Sequence, residues 1–101
     1  MKRTIKITQK DINNGLRKHC AYCPIGLALM REFGIKQDDE QIVQVGTIWM
    51  YVFPDRKTYT GGPILAKART PNKAINFILR FDQKKPVKPF QFTVDFEEPT
   101  T

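Results

Sequence analysis

The chain is poor in the side chains that carry most enzyme chemistry. It has one histidine, His19, and two cysteines, Cys20 and Cys23, in 101 residues. Two cysteines are too few to staple a disulfide scaffold. A closed structural zinc site takes four ligands, and the chain holds no second Cys or His pair beside Cys20, Cys23 and His19. An intrachain site would need a carboxylate, and a shared site a second copy. Thiol redox chemistry meets a geometric objection. In thioredoxin-type motifs the first cysteine leads into the helix, whereas here Cys23 precedes Pro24 and Cys20 lies in the loop before it. Hydrolysis lacks a nucleophile–base constellation beyond these thiols. Asp38, Asp39 and Glu40 crowd one polar turn, where mutual repulsion and solvent make poor acid–base partners. No G-x-x-x-x-G-K-[ST] phosphate loop is present. No apolar run reaches the ~18 residues of a membrane span, and no signal-peptide core follows the charged N-terminus. These absences lead to the expectation of a cytoplasmic, non-enzymatic protein with no membrane contact and no cofactor. Cys20 and Cys23 stay as weak metal or thiol candidates beside the structural roles usual for such residues.

Acidic residues are outnumbered as well: 17 Lys and Arg face 10 Asp and Glu, for a net charge of +7. Such a balance draws anionic partners by long-range attraction. Nucleic acid, a signal nucleotide and an acidic protein face all fit, and a homo-oligomer is open. Arg17, Lys18 and His19 form a basic connector ahead of the helix that Pro24 opens. Arg56 and Lys57 precede Gly61 and Gly62, whose backbone N–H groups could cradle a phosphate, although a hairpin turn is the more frequent reason for such glycines. These five residues are the anion-binding candidates. Lys84, Lys85 and Lys88, interspersed with Pro86 and Pro89, read as a solvated basic linker.

The residues present give a fold pattern. Ile5 and Ile7 alternate with Lys6 and Thr8 in a first, half-buried strand. Thr8 can cap a short helical turn with Asp11 three residues on, and Asn13, Asn14 and Gly15 stop it. From Pro24, placed at a first helical position, Ile25, Leu27, Ala28, Leu29, Met30 and Phe33 cover most of a helix circumference, which predicts a buried helix. Gly26 allows close approach of another element, and Gly34 is its stop. Ile42–Phe53 reads as one central strand, apolar on both faces, with Gly46 as a bulge. In that reading Trp49, Tyr51 and Phe53 belong to the core. A short strand follows at Ile64–Ala68, then a helix capped by Thr70 and opened by Pro71, with Ala74, Ile75, Phe77, Ile78 and Phe81 facing inward. Phe90, Phe92, Val94 and Phe96 alternate in a final strand.

The order β-α-β-β-α-β predicts a single α+β domain over residues 1–96, with a flexible C-terminal tail over 97–101. It matches a ferredoxin-like antiparallel sheet with helices on one face. An RNA-recognition motif built on such a sheet stacks bases on aromatics of its first and third strands. The strands at Thr4–Thr8 and Ile64–Ala68 have none.

Three blocks carry a resemblance. I-x-I-T-Q-x-D-I-x-x-G-x-R at residues 5–17, C-P-I-x-L-A-L at 23–29 and F-I-x-R-F-D-x-x-K-P-V-x-P-F-x-F at 77–92 resemble a family of small bacteriophage and prophage proteins. Gly26 stands where that family pattern implies alanine. No catalytic residue follows from the resemblance. It implies a phage-encoded accessory protein in the host cytoplasm that antagonises host defence, such as an anti-CRISPR protein or a sequestrant of a nucleotide signal. The alternatives are a nucleic-acid-binding regulator and, further off, a small thiol or zinc protein using Cys20 and Cys23.

Overall fold

The computed structural model describes residues 2–19, 21–36, 42–53 and 64–97. In chain order they form β1 (Lys2–Ile7), α1 (Gln9–Asn14), α2 (Pro24–Glu32), β2 (Ile42–Val45), β3 (Trp49–Phe53), β4 (Ala66–Arg69), α3 (Asn72–Asp82) and β5 (Phe90–Asp95). The α+β class and the broad β-α-β-β-α-β order hold. The single sheet of the expectation is instead two antiparallel sheets, β1–β5 and β2–β3–β4. The expected long strand at Ile42–Phe53 is a hairpin, with β2 and β3 antiparallel and Val45 opposite Met50. Gly46 lies in the connection between them, and its N–H donates to the Trp49 carbonyl at 2.9 Å.

One bridge joins the two sheets: Lys67 and Glu97 exchange backbone hydrogen bonds of 3.0 and 2.7 Å. Strand pairing therefore reaches Glu97, one residue past the expected domain boundary. Residues opposite one another in an antiparallel pair point to the same face. Lys67 shares a face with Arg69, and Glu97 shares one with Asp95, Thr93 and Gln91. Across the bridge, the outward faces of both sheets therefore look the same way. The inward face carries Ile5, Ile7, Val43, Val45, Met50, Val52, Ala66, Ala68 and Phe92, all buried.

Helix α2 fills that face, packing on β1 and β2, with α1 against it. Its start follows the sequence expectation. Pro24 occupies the first turn, and the sulfur of Cys23 accepts the Gly26 N–H at 3.3 Å as the cap. A Cβ on Gly26 would run into the carbonyl of Ala21, lying 2.8 Å from its carbon. The loop before α2 thus closes down on the helix where only glycine fits. Gly34, at φ +69°, ends it: the Gly34 N–H bonds Arg31 O and the Ile35 N–H bonds Met30 O, the paired bonds of a Schellman stop.

Thr8 and Asp11 form a reciprocal capping box at α1, at 3.2 and 2.9 Å. Asp11 does more than the sequence suggested. It is buried, and Arg31 of α2 grips both its oxygens at 2.8 and 2.9 Å while also donating to the Lys6 carbonyl of β1 at 2.6 Å. Burial pushes the Asp11 carboxyl up. The hydrogen bonds from Arg31 and Thr8, with the charge of Arg31, outweigh it and hold the carboxyl below its ordinary value.

Thr70 corrects the sequence reading. Helix α3 is capped at Pro71 with no side-chain hydrogen bond. The buried Thr70 hydroxyl donates instead to Gly46 O at 2.7 Å, and its N–H to Ile48 O at 2.9 Å.

Two predictions follow from α2 and its anchor. Replacing Asp11 by Ala removes the cap and leaves Arg31 without its partner, a loss of about 2–4 kcal/mol in urea denaturation; Asp11→Asn loses less because it keeps an acceptor. A carboxyl lowered from 3.8 stabilises the fold fully above that value and stops doing so as pH falls through its folded value. The stability gap between wild type and Asp11→Asn is therefore constant near neutrality and shrinks below pH ~4. Separately, Gly26→Ala destabilises by about 3 kcal/mol through overpacking, read as a lowered midpoint with unchanged slope.

Candidate functional site

The basic connector is exposed at Arg17, Lys18 and His19, and a contact from each fastens it to the fold. The Arg17 Nε–H donates to Phe81 O at 3.2 Å, with its guanidinium 5.1 Å over the Phe81 ring. That places a cation on the carbonyl end of α3, where it is stabilising. The Lys18 N–H bonds the Asp82 carboxylate at 2.9 Å. His19 turns Nδ1 inward to accept the N–H groups of Ala21 and Tyr22 at 3.2 and 3.0 Å. These three residues thus clip the loop to the end of α3 and close it on itself. Pro24, Ile25 and Gly26, at the start of α2, are buried, so the helix entrance offers no open N–H groups. Arg56, Lys57 and Cys20 lie outside the described residues, as do Gly61 and Gly62. Cys23 is buried beneath the helix start. Among the described residues, no three His, Cys, Asp or Glu side chains cluster as metal ligands, and no helix is long and apolar enough to cross a membrane.

A different constellation lies on the outward face of β2–β3–β4. The hairpin inverts the expected parity. Val43, Val45, Met50 and Val52 point inward, and Trp49 and Tyr51 point outward, half-buried rather than in the core. Their rings lie 6.4 Å apart at 28°. Opposite them on β4 stand Arg69, across from Trp49, and Lys67, across from Tyr51. Both cations lean over the indole, the Lys67 Nζ and the Arg69 Cζ each 5.3 Å from its centroid. Such contacts contribute about 0.5–1 kcal/mol each at exposed sites, enough to hold two long side chains over one ring. Gln44 flanks Tyr51 on β2. Phe53 continues the row but is buried, so the accessible part of the face is the Trp49–Tyr51 pair.

Flat π-faces beside mobile cations offer stacking for a planar group and a counter-charge for its phosphate. The sequence held a signal for this: A-K-A-R at 66–69 alternates small and cationic residues, as a strand with one crowded inner face requires. That signal pairs with the aromatics only once Ile42–Phe53 is split into a hairpin.

Grooves also lie among the described residues. One, of about 460 Å³, lies beside the Asp11–Arg31 pair and includes Lys10, Leu27 and Lys36. Its carboxylate is already engaged by Arg31. Another, of about 420 Å³, runs between α3 and the segment leading to β5.

Comparison of the chain with protein-family models, with curated proteins and with solved structures finds no match.

Thr70 holds the turn that leads into Trp49. Thr70→Val keeps the shape and removes the hydroxyl, leaving the Gly46 carbonyl without that donor. The expected cost is about 1–2 kcal/mol, accompanied by a red shift of Trp49 emission as the hairpin loosens; thermal melts and emission spectra measure both.

Proposed function

We propose that this protein is a non-enzymatic binding module that takes single-stranded nucleic acid, or a nucleotide, on the outward face of β2–β3–β4. The observation that carries the reading is the Trp49–Tyr51 pair with Lys67 and Arg69 held over the indole. Base–aromatic stacking tolerates any base, because every base has a π-face, and the cations answer the backbone charge. The net charge of +7 adds long-range attraction. In this reading Arg69 shares the indole with an incoming base and turns its guanidinium toward the adjacent phosphate. The acidic residues Asp95 and Glu97 of the neighbouring strand share the outward face. They repel a phosphate backbone, so the bound strand runs along β3 and β4 rather than crossing toward β1.

The block resemblance supports a narrower setting for the same site. In a phage accessory protein in the host cytoplasm, such a face antagonises host defence by occupying the nucleic acid of a defence complex or by sequestering its nucleotide signal.

Trp49 is the chain's one tryptophan, so its emission reports this site alone. Titration with oligothymidylate quenches it to saturation. With two phosphates contacted, the plot of log K against log salt has a slope of about −1.4. Changing Lys67 and Arg69 together to Gln flattens that slope. In a labelled-oligonucleotide anisotropy assay, Trp49→Leu weakens binding by about 1–3 kcal/mol. Unchanged emission at low salt, together with flat anisotropy, would sink the reading.

A further inference from the structure

The second groove has a composition that the nucleic-acid reading does not use. Along the outward side of α3, Lys73, Asn76 and Arg80 fall at helical spacing and form one wall. The segment after α3 forms the other. It turns back along the helix, with Lys84, Lys85 and Lys88 exposed as a solvated linker requires. The N–H groups of Lys84 and Lys85 bond the carbonyls of Phe81 and Arg80, with Lys84 at φ 61°. Arg80 Nε and Nη2 both donate to Pro86 O, at 3.2 and 2.9 Å. The floor is apolar: Phe77, Val87 and Phe90, with the two rings 4.9 Å apart at 32°.

The lining includes Lys73, Arg80 and Lys88 and no carboxylate. Its cations are not arranged as a clamp for a small anion, which needs several donors converging on one point. Arg80 spends two N–H groups on Pro86 O, and Lys73 donates to Gln91 O at 3.2 Å. Their charge remains as a positive field over an apolar trough. Single-stranded nucleic acid needs successive open ring faces, but here Phe77 is buried and packed against Phe90. An extended peptide matches better. One apolar side chain fills the floor and supplies most of the affinity, and flanking carboxylates meet the cationic walls and set orientation and association rate.

We infer that the groove between α3 and the segment leading to β5 is a docking site for an acidic segment of a partner protein, anchored by one aromatic or aliphatic side chain. It is separate from the Trp49 face, and the two sites let the protein hold nucleic acid and a protein partner together.

The test uses the full chain and a fluorescein-labelled heptapeptide of aspartate and glutamate around a central phenylalanine, followed by anisotropy. The expected result is saturable binding that weakens about tenfold when the phenylalanine is replaced by serine. It also weakens about tenfold in the Lys73→Glu, Lys88→Glu double variant, as loss of two favourable charge contacts implies. Both substituted residues are exposed, and an unchanged thermal midpoint and unchanged Trp49 emission in the same variant show that the fold is intact. No binding of the phenylalanine peptide would overturn the inference. So would equal binding of the serine peptide, indifference to the double variant, or displacement of the peptide by oligothymidylate. None of these outcomes depends on whether the Trp49 face binds nucleic acid.

Discussion

One buried carboxylate organises the first half of the molecule. Asp11 caps α1 through Thr8 and accepts both Nη groups of Arg31, and Arg31 reaches on to the Lys6 carbonyl. Strand, short helix and long helix meet at a single ion pair. Burying such a charge costs desolvation that only full hydrogen bonding offsets, and here every contact is made with a charge or an N–H group. An isosteric apolar pair could match its stability. It would lack the directed bonds that here tie β1, α1 and α2 at one point. With those elements tied, α2 lies along the inner face of the strands and buries it, and the outer face is left exposed.

The two faces are built by opposite rules. The inner face takes Ala66 and Ala68 opposite Val52 and Met50, small against large, all buried. The outer face places Trp49 and Tyr51 against Arg69 and Lys67, where large rings are partly exposed and the aliphatic stems of the cations lie alongside them. The loop with Arg17, Lys18 and His19 is exposed, yet the Arg17 Nε–H, the Lys18 backbone N–H and His19 Nδ1 each hold a partner, so it works as a fastener between α2 and α3.

Much of this was legible in the sequence where the deciding contacts are local. The β1 alternation, the Thr8–Asp11 cap, Pro24 at the head of α2, Gly26 under a close contact, Gly34 as a stop and the apolar face of α3 each depend on residues within a turn or two. What was not legible depends on distant partners. Ile42–Phe53 contains no Asn-Gly, Asp-Gly or Pro to announce a turn, and its β-branched and aromatic run reads as one strand. The turn is held from outside as well, by Thr70, 24 residues on, which binds Gly46. Reading through it shifted the parity and sent Trp49 and Tyr51 to the core. Thr70 itself reads as a helix cap because it precedes Pro71 and α3, yet its hydroxyl is spent on Gly46 across the sheet. The role of Arg31 has no local signal, because nothing near it in sequence shows that Asp11 is buried beneath it.

The Thr70 contact also bears on the order of assembly. A hairpin with a strong turn forms by itself within microseconds, before the rest of a chain condenses. This one has a turn whose stabilising groups arrive with β4 and the start of α3, so closure is tied to a contact of long sequence separation and waits for the loop entropy of bringing them together. The aromatic pair on β3 and its two cations on β4 are therefore brought into register by the same long-range contact that holds the turn.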